Sequence, residues 1–157
     1  MRYVIELMSC SLMIRIRDLE IRELYFTEES IAENGYKFRS RGEEELYKRA
    51  SKQLSEYFQG KRSYFELLYH FTGSELEMAV WIEVNKIKYG TTVSYSELAY
   101  LCGKPKAVRA VASAVGRNKL MILIPCHRVI LKSGKPGNYA GGEERKKMLL
   151  ELEKKIM

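Results

Sequence analysis

The chain has 157 residues, enough for one compact domain or two small ones, with 46% hydrophobic and 30% charged residues. No apolar run approaches the roughly 20 residues needed to span a bilayer, and Arg2 and Glu6 break the Met1 to Met13 stretch, so neither a membrane partner nor secretion is expected. The formal charge of +7 is lopsided: residues 1–74 hold 12 Lys+Arg against 12 Asp+Glu, residues 75–157 hold 15 against 8, and a polyanion would find its footing in the second half. Cys10, Cys102 and Cys126 lack CxxC spacing and have only His70 and His127 beside them. That excludes a disulfide scaffold, and no metal is expected.

The first segment reads as a strand meander: Tyr3 to Leu7, Met13 to Arg17, and Glu20 to Phe26 across a short Asp18-Leu19 connection. A polar stretch with Asn34, Gly35 and Gly42 follows. Leu46, Ala50, Leu54, Tyr57 and Phe58 then recur at helical steps, predicting an amphipathic helix stopped by Gly60. Tyr64 to Phe71 is a further strand candidate. The expected N-terminal unit, residues 1–72, is a small antiparallel sheet plus a helix, ribonuclease H-like in shape, and its aromatic residues read as core.

Thr72-Gly73-Ser74 marks a boundary to a mostly helical unit over 73–157, making the chain α+β. Ser74 and Glu77 have capping-box spacing, predicting a helix from Glu75 to about Lys88. Ser94 and Glu97 repeat the box before a short helix through Leu98, Ala99 and Leu101. After Cys102-Gly103, Pro105 suits the start of a third helix, Lys106 to Val115, with one small face of Ala107, Ala110, Ser113 and Ala114. Two short helices across a Gly-containing turn form a helix-turn-helix, winged-helix-like pattern. The small face suits either close approach to a nucleic-acid groove or packing on a neighbouring helix.

Residues 122–130 read Ile-Leu-Ile-Pro-Cys-His-Arg-Val-Ile. So apolar a neighbourhood would ordinarily make Cys126 an inert buried thiol. A base and a cation beside it allow the other reading: His127 can take the thiol proton and Arg128 adds a positive field, giving more thiolate than at Cys102.

Pro125-Cys126-His127-Arg128-Val129 resembles the active-site motif of the O6-alkylguanine-DNA alkyltransferases, the methylated-DNA-protein-cysteine methyltransferases. The resemblance covers roughly residues 76–153. It takes in Gly90 to Ala99, Lys104 to Val111, Arg117-Asn118, Asn138-Tyr139-Ala140-Gly141-Gly142 and Leu149 to Glu153. It implies a cofactor-free protein that binds double-stranded DNA containing O6-alkylguanine through a minor-groove helix-turn-helix. Such a protein flips the damaged base out and moves the alkyl group irreversibly onto the cysteine, with O4-alkylthymine a secondary substrate. Carried over by position, Cys126 is the acceptor, and His127 deprotonates it through a water. Glu153 holds and charge-balances His127, and Asn118 pins the turn before the active-site strand. Tyr95 crowds the target phosphate and donates to guanine N3, while Arg109 fills the space the flipped base leaves. Lys106, Ala107, Ala110, Ser113, Arg117 and Arg128 complete the DNA face.

For the base pocket, the resemblance assigns the carbonyls of Cys126 and Val129 as acceptors for the guanine amino group. Tyr139 and the backbone N–H of Ala140 bond O6, and Gly141 shapes the loop. Met121 stands where proline is frequent and Ala140 where serine is common, so O6 recognition at Ala140 rests on the backbone donor alone. A monomer is expected, able to bind DNA cooperatively, in the cytoplasm of a prokaryote or the nucleus of a eukaryote. The rivals are an alkyltransferase-like binding protein, which lacks the acceptor cysteine, a helix-turn-helix regulator, which leaves residues 125–129 unexplained, and a cysteine hydrolase, for which no separate His and Asn/Asp pair is evident.

Overall fold

The computed structural model describes residues 1–31 and 35–155; Asn34 of the expected polar stretch lies outside them. The architecture is mixed α and β, with a small antiparallel sheet and five α-helices among the described residues. The chain divides into two units, Met1–His70 and Phe71–Met157.

In the first unit β1 (Arg2–Glu6), β2 (Ser11–Arg17) and β3 (Glu20–Thr27) form an antiparallel meander in sequence order. The register places Ile5 opposite Leu12 and Leu12 opposite Phe26, and an irregularity falls between Arg15 and Ile16. Asp18 and Leu19 both take positive φ, 54° and 59°, as a two-residue hairpin turn matched to strand twist requires. Helix α1 (Arg41–Phe58) is capped by Ser40, which accepts from Glu43 N at 3.2 Å, and buries Leu46, Ala50, Leu54 and Tyr57 of the predicted face, with Phe58 half-buried.

The strand expected over Tyr64 to Phe71 does not form. Only a single bridge joins Tyr69 to Ile21. The reason is a distant side chain: Gln53 on α1 takes both backbone groups of Glu66, accepting from its N–H at 2.9 Å and donating to its carbonyl at 3.3 Å. A ladder needs those groups.

In the second unit α2 (Glu75–Val84) starts at the predicted capping box, with Ser74 N donating to Glu77 at 2.8 Å and Glu77 N to Ser74 at 3.2 Å. It stops short of Lys88, because Asn85 caps it and 86–87 tighten into three-residue turns. The second box opens α3 (Tyr95–Leu101), preceded by β4 (Val93–Ser94). Helix α4 (Val108–Gly116) begins two residues later than expected. Pro105 sits inside a turn closed by Ala107 N to Lys104 O at 3.0 Å, and Ala107 has no side chain to cap with. Helices α2, α3 and α4 pack together. The buried Trp81 indole of α2 donates to Ala114 O of α4 at 2.9 Å. A short β5 (Val129–Ile130) pairs in parallel with β4, and α5 (Glu143–Lys154) closes the described chain. Among the described residues no helix is long and apolar enough to cross a membrane.

Candidate active site and nucleic-acid face

Cys126 opens a single 3-10 turn, Cys126–Arg128, rather than lying on a strand. The run before it is a stack of tight turns. Leu123 N bonds Met121 O at 2.8 Å around Ile122, whose φ is +73°, and Cys126 N bonds Ile124 O at 2.8 Å around Pro125. The first is a strained turn for a β-branched residue. Asn118 bridges the run: its Oδ1 accepts from Leu120 N at 2.9 Å and its Nδ2 donates to Ile124 O at 2.9 Å. The same Nδ2 lies 3.1 Å from Cys126 Sγ. Cys126 is 4% exposed. Burial pushes its thiol above the ordinary cysteine range, opposed by the Asn118 hydrogen bond and the Lys146 charge. Burial raises the Cys102 thiol as well. The Cys126 thiol is held protonated at rest, and a base must take its proton during reaction.

That base sits next in the chain and fully inside. His127 is 0% exposed and Glu153 2%, with His127 Nε2 2.7 Å from Glu153 Oε1. Burial depresses the imidazole despite the carboxylate's support. Burial alone would raise Glu153, but hydrogen bonds and charge from His127 and Arg128 hold its carboxyl well below the usual range. Arg128 corrects a sequence expectation. It is 7% exposed, its Nε and Nη2 each reach Glu153 at 2.9 Å, its Nη1 donates to Ile87 O at 2.7 Å, and it stacks 5.6 Å over Tyr89. Its donors face inward, so it is not part of a DNA-facing surface.

In front of Cys126 lies a cavity of about 590 Å³, within the usual range for ligand pockets. Tyr95, Arg109, Ser113, Tyr139 and Ala140 line it together with Cys126. The Tyr95 hydroxyl is 3.4 Å from Asn138 O, and burial raises its pKa, with Cys126 adding to the rise. The Tyr139 hydroxyl is buried and has no hydrogen-bond partner among the described residues. Val129 lies outside the lining and its carbonyl already accepts from Lys146 at 2.6 Å. The carbonyl of Cys126 accepts from Val129 N. Each keeps a second lone pair. Gly141 is half-buried on the same loop. Lys106, Arg109, Ala110, Ser113 and Arg117 are exposed on or beside α4 with Ala107 half-buried, and Arg117 pairs with Glu77. Among the described residues no three His, Cys, Asp or Glu converge to hold a metal.

Sequence reasoning missed Lys146. It is 0% exposed, and its Nζ reaches Val129 O, Asn138 O at 3.2 Å and the Tyr95 hydroxyl at 3.4 Å. Burial lowers its pKa to about 8, with Cys126 working the other way. The signal was available, since Lys146, Leu149 and Glu153 fall at i, i+3 and i+7 and share one helix face.

Comparison with known proteins fits this geometry. The inducible methylated-DNA–protein-cysteine methyltransferase of Bacillus subtilis is 45% identical over 103 residues, 66% of this chain and 58% of that protein, so the match spans less than two thirds of its length. The methylated-DNA–protein-cysteine methyltransferase of Methanosarcina acetivorans is 44% identical over 70% of each chain. The Mycobacterium tuberculosis OGT solved in complex with DNA superposes with a TM-score of 0.80 at 35% identity, over 92% of this chain and 87% of that one. A family model described as the DNA-binding domain of 6-O-methylguanine DNA methyltransferase matches residues 75–155. That match runs over more than half of the sequence and takes in Tyr95, Cys126 and Glu153, and by it this chain belongs to the 6-O-methylguanine DNA methyltransferase family.

Proposed function

We propose that this protein repairs DNA directly, moving the alkyl group of O6-alkylguanine in a duplex onto Cys126 once and irreversibly. O4-alkylthymine is a secondary substrate. The observation that carries the reading is the placement of Cys126. Its sulfur lies at a cavity lined by two tyrosines and Arg109, beside exposed α4, with a His127–Glu153 pair buried behind it.

The reaction balances on these residues. His127 takes the thiol proton through a water, and the sulfur attacks the alkyl carbon as the C–O6 bond breaks. Tyr95 gives its proton to guanine N3 so that the base leaves neutral. Lys146 sits within 3.4 Å of the Tyr95 oxygen and stabilises the phenolate left behind. Tyr139 and the N–H of Ala140 bond O6, and the second lone pairs of the Cys126 and Val129 carbonyls accept from the guanine amino group, with Gly141 shaping the loop. The product is a thioether with no easy hydrolysis route, so no turnover follows.

Reaching O6 requires extruding the base, at a cost of a few kcal/mol of unstacking. Lys106, Ala107, Arg109, Ala110, Ser113 and Arg117 meet the minor groove, and Arg109 fills the vacated stack. The α3–α4 pair with its β4–β5 ladder acts as a winged-helix-like reader over residues 73–157. Residues 1–72, ribonuclease H-like in their sheet-and-helix form, are a structural support. The protein acts as a monomer, with cooperativity on DNA, wherever its DNA resides: the cytoplasm of a prokaryote or the nucleus of a eukaryote.

Intact mass after incubation with an O6-methylguanine duplex tests this. One methyl should appear on Cys126 and none in Cys126→Ser. Binding without mass gain would leave lesion recognition alone, and methylation at Cys10 or Cys102, or repeated turnover, would overturn the assignment.

A further inference from the structure

The Glu153 carboxylate is saturated. Its Oε1 accepts from His127 Nε2 at 2.7 Å and Arg128 Nη2 at 2.9 Å, and its Oε2 from Arg128 Nε at 2.9 Å and Gly90 N at 3.3 Å. An ionised carboxylate can only accept, so the ring proton of His127 must sit on Nε2, which leaves the lone pair on Nδ1. The guanidinium fork fixes the plane of the carboxylate, and its third arm on Ile87 O ties the assembly to the segment after α2. Being permanently charged, Arg128 makes the buried pair with Glu153 neutral overall, so His127 faces a compensated carboxylate rather than a bare one.

We propose that Arg128 is a positioning residue that keeps His127 a neutral, Nε2-protonated imidazole, ready to take a proton, by neutralising and aligning Glu153. This rests on the reading of His127 as the base for Cys126. Without the guanidinium, a buried carboxylate 2.7 Å from an imidazole would draw a proton onto the ring. The imidazolium has no lone pair to offer the thiol. The charged groups that act on His127 include Glu153 and Lys146 from α5 and Arg128 from its own turn, with Tyr89 stacked on Arg128. Arg128 and Lys146 both oppose a charge on the ring, and Glu153 favours one. Burial is the largest influence lowering the imidazole, and the Arg128 and Lys146 charges add to it against the Glu153 carboxylate.

Nitrogen-15 NMR of histidine-labelled protein reads the state of His127 without any substrate, with His70 as internal control and His127→Gln for assignment. The wild type should show a neutral Nε2–H ring at pH 7. Arg128→Met should titrate at least about one pH unit higher, and the acid limb of its rate with free O6-benzylguanine should move up by the same amount. Arg128→Lys keeps the charge and should keep the wild-type titration. An imidazolium or an Nδ1–H ring in the wild type at pH 7 overturns the proposal whether or not the methionine variant folds. So does Arg128→Met with an unshifted titration and an equal rate loss at every pH, or a protonated ring in Arg128→Lys. Protein that shows the expected titrations yet never alkylates Cys126 would refute the repair reading and leave this one standing.

Discussion

Asn118→Ala removes a side chain whose amide bonds Leu120 N, Ile124 O and Cys126 Sγ within 3.1 Å. Leu120 and Ile124 are both 0% exposed, so water cannot replace the lost partners without opening the turn. Stranding one buried donor and one buried acceptor costs about 1–3 kcal/mol each. Ile122, at φ +73°, stores a further 1–3 kcal/mol of strain that relaxation would partly return. The expected net loss is about 2–5 kcal/mol, a large part of a typical 5–15 kcal/mol. Urea unfolding of wild type and variant measures it, with unchanged m-values as the check on two-state behaviour. Asn118→Asp separates the parts, since it can still accept from Leu120 N but sets a buried carboxylate against Ile124 O and Cys126 Sγ, and it should be at least as destabilised as Asn118→Ala. A loss under about 1 kcal/mol for Asn118→Ala would show that the turn holds itself and that Asn118 is there for the thiol alone.

Arg109→Ala should slow repair of duplex DNA at least about tenfold more than reaction with free O6-benzylguanine, because only the duplex needs a base held out; equal losses would move Arg109 from DNA to the fold. Methylating Cys126 puts a methyl on a sulfur that accepts from Asn118 Nδ2 at 3.1 Å, at a cost of up to about 1–3 kcal/mol on that side, so the methylated protein should melt at a lower temperature; an equal or higher midpoint would show that the cavity in front of the sulfur takes the methyl without strain. Lys146 is buried with its pKa lowered to about 8 from 10.5, so the unfolded chain binds more protons between those values. Its contribution to stability should therefore rise with pH across that window and vanish in Lys146→Met, as pH-dependent unfolding would read. Above pH 8 the lost ammonium should slow reaction with O6-benzylguanine in the wild type, and Lys146→Met should be slow at all pH; a variant as fast as wild type at pH 7 excludes Lys146 from the chemistry.

What was legible in the sequence was local. The boxes Ser74/Glu77 and Ser94/Glu97 start helices because both partners sit within one turn, and the apolar steps of α1 name its buried face directly. The Cys126-His127 pair was visible as chemistry for the same reason. What stayed hidden depends on partners far along the chain. Arg128 reads as a cation for DNA until Glu153, 25 residues on, is seen to accept from it. Tyr64 to Phe71 alternates like a strand, but Gln53, 13 residues earlier, claims the backbone of Glu66. The run 120–125 has strand composition, and its turns depend on Asn118 satisfying groups that a ladder would otherwise pair.

The single tryptophan gives the molecule an optical reporter. Trp81 is 4% exposed, packs edge-on against Phe71 with centroids 5.9 Å apart, and caps a last-turn carbonyl of α4 through its indole N–H. Its emission is therefore wired to the helix proposed to enter the groove, while no other indole in the chain contributes background. Any event that shifts α4 by enough to break that bond changes the polarity seen by the excited indole. Stopped-flow fluorescence with unlabelled DNA can follow groove entry separately from the slower mass change at sulfur.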